Sequence, residues 1–145
     1  MKPEEIVELI QFYRHNIMNE LQVIQGYAKL GKLEKVRFLL DNLFQSFHNE
    51  REFMLLNIPH VFLWFFQYKH KHPEYKLTYS STIKNLDLAE ADVHIKHNLE
   101  QIMQVIEEKC SQEKIYSIHL AFEENGNTAR VNVSVNETDG EPTSI

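Results

Sequence analysis

The chain has 145 residues, with fifteen Lys and Arg against twenty-one Asp and Glu, for a formal charge of −6. That length holds one ordinary domain or two small ones, and an acidic chain without a basic stripe is a poor non-specific nucleic-acid binder, because neutralised phosphates drive that affinity. The lone cysteine, Cys110, excludes an internal disulfide and a CxxC metal pair.

The charge deficit is uneven: residues 1–56 carry seven basic and eight acidic side chains, and residues 57–145 carry eight and thirteen. The longest uninterrupted apolar run, Val61 to Phe66, is far shorter than the ~20 residues that span a bilayer. The start, Met1-Lys2-Pro3-Glu4-Glu5, lacks the basic lead of a signal peptide. A soluble protein of a reducing compartment, most simply the cytoplasm, is therefore expected, with neither nucleic acid nor membrane as a partner. Four glycines leave little material for a phosphate-cradling loop.

In chain order, the apolar spacing predicts a long amphipathic helix over 3–30. Its seam is Ile6, Ile10, Tyr13, Ile17, Leu21, Ile24 and Ala28, at steps of three and four. Gly31 suits the left-handed conformation that ends helices. A second helix follows, with Leu33, Val36, Leu40, Leu43 and Phe47 on one face and a reach to about Met54. So short a connection makes the two helices antiparallel neighbours. Each carries further apolar residues, Leu9, Phe12, Val23, Tyr27 and Leu30 on the first and Phe38, Leu39 and Phe44 on the second. One partner helix cannot cover them all. The economical cover is a second copy, giving a dimeric four-helix bundle; a helix from the C-terminal half is the alternative.

Asn57-Ile58-Pro59 marks a boundary, because the residue before proline is steered out of helix. A helix from Pro59 to about His72 is apolar nearly all round, which predicts burial between layers. Leu77, Tyr79 and Ile83 alternate as a strand, and about Ala91 to Cys110 form a helix with Ile95, Leu99, Ile102, Ile106 and Cys110 on one face. Tyr116, Ile118, Leu120 and Phe122, then Asn125-Gly126, then Val131, Val133 and Val135 predict a hairpin with a two-residue turn. Asp139 to Ile145 read as a frayed tail. The fold class is α+β: a helical hairpin over 1–56 for dimerisation, followed by a small α/β domain over 57–145.

On the first helix, at ~100° per residue, His15 projects roughly 160° from the seam. Asn19, Gln22 and Gly26 share its stripe, and Arg14 and Asn16 flank it. An imidazole there is accessible, with one nitrogen free to act as a nucleophile when neutral. Polar residues on an outer helix face are also what amphipathicity alone requires. Among the other histidines, His70 and His72 close an apolar helix, where a cation is favoured. His94 and His97 share a face and His119 sits on a strand; without HExxH or a cysteine pair no zinc site is expected. Cys110 reads as a small hydrophobe.

The stretch Tyr13-Arg14-His15-Asn16-Ile17-Met18-Asn19-Glu20-Leu21-Gln22-Val23-Ile24-Gln25-Gly26-Tyr27-Ala28-Lys29-Leu30-Gly31-Lys32 resembles the phosphorylation box of the Spo0B-type family. That family contains the sporulation initiation phosphotransferases and the citrate- and fumarate-sensing kinases. Its pattern is Arg-His-(Asp/Asn), Asn four residues after the His, Leu-Gln, a later Gly, and Leu-Gly at the turn. The resemblance implies that His15 is the phosphoacceptor, that the hairpin is a dimerisation domain, and that the partners are response-regulator receiver domains.

Kinases of the family bind ATP through a helix whose Asn holds Mg²⁺, followed by glycine-rich boxes. Here Gln104 occupies the place of that Asn, and Thr138-Asp139-Gly140-Glu141-Pro142 stands where Asp-x-Gly-x-Gly is expected. The C-terminal domain therefore resembles a degenerate histidine-kinase ATPase domain. The resemblance implies a phosphotransferase of a sporulation phosphorelay, with no cofactor of its own and Mg²⁺ supplied by the receiver. His15 takes the phosphoryl group from one regulator's aspartate and passes it to another. On that resemblance Asn19 and Gln22 are expected to orient phosphoryl oxygens or receiver loops and Arg14 to balance transferred charge; plain solubility of a helix surface is the alternative for all three. The alternatives are an ATP-using sensor kinase fragment and a non-catalytic regulator-binding module. Lys29, Lys32, Lys35 and Arg37 near the turn either steer an acidic receiver face or form an ordinary solvated turn.

Overall fold

The computed structural model describes residues 1–110 and 113–138. The tail expected from Asp139 to Ile145, and with it Asp139-Gly140-Glu141-Pro142, lies outside the described residues. The chain divides into two compact units, Met1–Glu50 and Arg51–Ile145.

The first unit is a helical hairpin. Helix α1 runs Pro3–Lys29, with proline at its first position, where no N–H is needed, and Glu4 and Glu5 against the positive end of the helix dipole. The Glu5 carboxylate accepts the backbone N–H of Lys2 at 2.9 Å. The other end closes on Gly31, φ +73°: Gly31 N–H donates to the carbonyl of Ala28 and Lys32 N–H to that of Tyr27, both at 3.0 Å. This is the Schellman arrangement, and its left-handed residue has to be one without a Cβ penalty. Helix α2 then runs Leu33–Met54.

The face that α1 buries differs from the expected seam. Ile24 is buried, at 9% exposure, together with Leu43 of α2. Leu9, Phe12, Tyr13, Asn16, Ile17 and Tyr27 are half-covered, whereas the seam residues Ile6, Ile10 and Leu21 stay exposed, Ile10 at 59%. The covered stripe is rotated toward the set expected to be surplus. A single helix partner covers only a narrow arc of a helix apolar over a wide one. Across the pair, the Tyr13 hydroxyl donates to Glu50 Oε1 at 2.6 Å.

The second unit begins in the last turn of α2, whose Phe53 belongs to its core. Asn57 ends this stretch at φ +57°. The unit continues with α3 (Pro59–Lys71), β1 (Tyr75–Ser81), a short 3-10 turn (Ala89–Ala91), α4 (Asp92–Lys109), β2 (Ile115–Asn125) and β3 (Thr128–Thr138). The sheet order is β1-β2-β3, with β1 and β2 parallel across the α4 crossover and β2 and β3 antiparallel. Alternation puts Leu77, Ile118, Leu120 and Phe122 into the core, where they meet Val61, Trp64 and Phe65 of α3 and Leu99 and Met103 of α4.

Three details differ from expectation. Helix α3 is not enclosed all round, since Leu63 is exposed. On α4, Met103 rather than Ile102 faces the core. In the hairpin, Asn125 pairs with Thr128, so the loop is Gly126-Asn127 instead of Asn125-Gly126. Gly126, φ +64°, opens that loop at the position where type II′ turns take glycine.

Candidate functional site

Helix α1 displays the candidate residues on one stretch of surface. His15, Asn19, Arg14 and Gln22 are all exposed. Asn19, one turn beyond His15, sets its amide Nδ2 3.5 Å from the imidazole Nδ1, the ordinary meeting of side chains four residues apart on a helix. Among the described residues no hydrogen bond joins Arg14 or Gln22 to His15, so the fold pairs His15 with Asn19 and leaves the other two as neighbours. Gly26, further along the stripe, has open space where a Cβ would stand.

This geometry has a definite chemical content. With Nδ1 occupied by Asn19, the outward nitrogen of His15 is Nε2. The Asn19 amide as oriented points a donor at Nδ1, which favours the Nε2–H tautomer. A half-turn of the amide exchanges Oδ1 for Nδ2 in the same volume, and an accepting Oδ1 holds the Nδ1–H tautomer with a free lone pair on Nε2.

The lysines near the turn lie against aromatic faces. Lys35 Nζ is 5.8 Å from the Tyr27 ring and 5.4 Å from the Phe38 ring, and Lys32 Nζ is 6.0 Å from Tyr27. These contacts hold part of the basic cluster in place.

The remaining histidines are dispersed. His72 stacks on Tyr68 at 4.1 Å and places Nδ1 3.1 Å from Glu74. The Tyr68 hydroxyl donates to Glu107; burial first, then that carboxylate, pushes its phenol well above the usual range. His94 meets Asn98, and His119 lies between the hydroxyls of Thr78 and Ser80, 2.7 and 2.8 Å away. Among the described residues, no group of three or more His, Cys, Asp or Glu side chains is arranged to hold a metal ion. Nor is any described helix long and apolar enough to cross a membrane.

Sequence reasoning missed one arrangement. Helix α3 has no capping side chain of its own at Ile58, and the buried Asp92, at the start of α4, supplies the cap from a distance. Its Oδ2 accepts the His60 N–H and its Oδ1 the Val61 N–H, each at 2.9 Å, while His60 Nδ1 lies 2.8 Å from Oδ2. Burial alone would raise the carboxyl, but the bonds from His60 and Val61 outweigh it and hold Asp92 below its ordinary value. The available signal was negative: a proline-started helix preceded by isoleucine leaves its first N–H groups to be satisfied from elsewhere.

The first unit is thus an α-helical hairpin carrying an exposed histidine in its first helix. Residues 1–57 match the family model described as sensor kinase SpoOB-type, alpha-helical domain. The N-terminal segment of this chain is therefore similar to the Spo0B-type alpha-helical domains. No curated protein matches the chain.

Proposed function

We propose that the protein is a histidine phosphotransferase of a bacterial phosphorelay, of the kind that initiates sporulation, with His15 as the phosphoacceptor. The observation that carries the reading is the exposed His15 imidazole with Nδ1 against Asn19, inside a segment matching the Spo0B-type helical domain.

His15 Nε2 attacks the phosphorus of an aspartyl phosphate on a receiver domain. The N–P bond forms, the P–O bond to the aspartate breaks, and the carboxylate leaves with its electron pair. With its amide turned so that Oδ1 faces Nδ1, Asn19 holds the Nδ1 proton through the step. Mg²⁺ arrives with the receiver, and positioning supplies most of the remaining catalysis. Gln22 and Arg14 meet the incoming phosphoryl group or the receiver's loops, Arg14 through charge. The reverse step, onto the aspartate of a second receiver, completes the relay.

Two copies of the hairpin pack into a four-helix bundle that covers Ile6, Ile10 and Leu21. The second unit is the degenerate counterpart of a kinase ATP-binding domain. Gln104 supports that reading: it is exposed on α4 and stands where the resemblance expects the Mg²⁺-holding Asn.

The test is label transfer. Phosphorylated receiver is expected to label wild-type protein at an acid-labile phosphate mapped to residue 15, and to leave His15→Ala unlabelled; ATP alone is expected to label neither. Equal transfer to both proteins removes His15 from the mechanism. Transfer to neither favours a regulator-binding module, and strong ATP labelling favours a kinase.

A further inference from the structure

The second unit contains its own oriented imidazole. Asp92 is 4% exposed and fastened by the His60 and Val61 backbone donors. An ionised carboxylate can only accept hydrogen bonds. His60 Nδ1, 2.8 Å from Oδ2, therefore carries the ring proton, and the neutral ring bears its lone pair on Nε2. The His60 side chain is 60% exposed, and the carboxylate contact is made at Nδ1, which leaves Nε2 outside it. Carboxylate, imidazole and open approach are the elements that activate a histidine nitrogen elsewhere in enzymology.

We infer that His60 Nε2 is a second nucleophile of this protein, a phosphoryl-acceptor site open to small nitrogen- or acyl-linked phosphoryl donors. The inference stands on the His60–Asp92 geometry and not on the role of His15. With phosphoramidate as donor, Nε2 attacks phosphorus and an N–P bond forms to the ring. The P–N bond to the protonated amino group breaks, and ammonia departs with the bonding pair. The product ring is cationic while Nδ1 keeps its proton, and the Asp92 carboxylate stabilises that charge. His94 is the internal reference, because its ring meets only the Asn98 amide among these contacts.

The experiment treats the full-length His15→Ala protein with potassium phosphoramidate at neutral pH and maps phosphohistidine by mass spectrometry over time. His60 is expected to be labelled at least tenfold faster than His94, on Nε2 rather than Nδ1 by NMR, and His60→Gln is expected to remove that signal. Equal rates at His60 and His94, or label on Nδ1, would overturn the inference. Asp92→Asn is expected to slow His60 labelling at least tenfold. Should that variant unfold, the wild-type ring decides by nitrogen-15 NMR. An Nδ1–H tautomer at His60 supports the inference, and an Nε2–H tautomer refutes it.

Discussion

His15 and His60 present the same problem at the residue scale: which ring nitrogen keeps the proton. At His15 the neighbour is an amide at 3.5 Å, which can serve as donor or acceptor. At His60 it is a fixed carboxylate at 2.8 Å, which can only accept. If Asn19 holds the reactive tautomer of His15, Asn19→Leu loses a hydrogen bond of about 1 kcal/mol, slowing phosphoryl transfer roughly five- to tenfold. Asn19→Asp, which still accepts from Nδ1, retains more of the rate, and its transfer–pH profile moves relative to wild type. Both residues are exposed, so the melting temperature should stay unchanged. Single-turnover transfer from a phosphorylated receiver measures the effect, and a wild-type rate in Asn19→Leu would dismiss the role.

At the scale of elements, the helices differ in how their ends are satisfied. Helix α1 is closed locally, by Glu5 at one end and the Gly31 motif at the other. Helix α3 depends on Asp92, 31 and 32 residues away from the groups it caps. Asp92→Asn keeps the shape but loses the charge on bonds to the His60 and Val61 N–H groups, so near neutral pH it should destabilise the second unit by about 1–3 kcal/mol. The sign with pH follows from the depressed carboxyl. The folded state holds the proton less tightly than the unfolded chain, so the contribution is complete above the unfolded value of ~4. It disappears as pH falls through the folded value. Urea titrations between pH 7 and pH 3 should show the gap between wild type and Asp92→Asn closing in acid. A gap constant with pH would contradict the charged cap.

The whole molecule combines a core-poor hairpin with a core-rich α/β unit. Only Ile24 and Leu43 are buried in the first unit, while Phe53, Val61, Phe65, Ile118, Leu120 and Phe122 are almost inaccessible in the second. The hairpin leaves the large apolar side chains of Ile10, Val7, Phe38 and Phe44 exposed. The proposed dimer would cover these side chains without any new element. Equilibrium sedimentation at micromolar concentration should therefore give a dimer mass. Ile10→Asp, which places two charges in a symmetric interface, should weaken the dimer by about 3 kcal/mol or more, over a hundredfold. A wild-type monomer at that concentration would contradict the bundle.

Much of this was legible in the chain because it is local. Helix α1, its glycine stop, helix α2, the boundary at Pro59 and the β-hairpin follow from spacing and turn chemistry, interactions that span a few residues. The exposure of His15 and the stripe it shares with Asn19 come from the same helical period, while the approach of the two side chains is seen only in the structure. What is non-local could not be read: the rotation of the covered stripe on α1, and the Asp92 cap on α3 with His60 beside it; the one-residue shift of the hairpin loop is instead a local choice of turn that puts Gly126 first. Periodicity states that a face is apolar, but its partner is chosen by three-dimensional packing. A buried carboxylate finds its donors only once elements 30 residues apart have met.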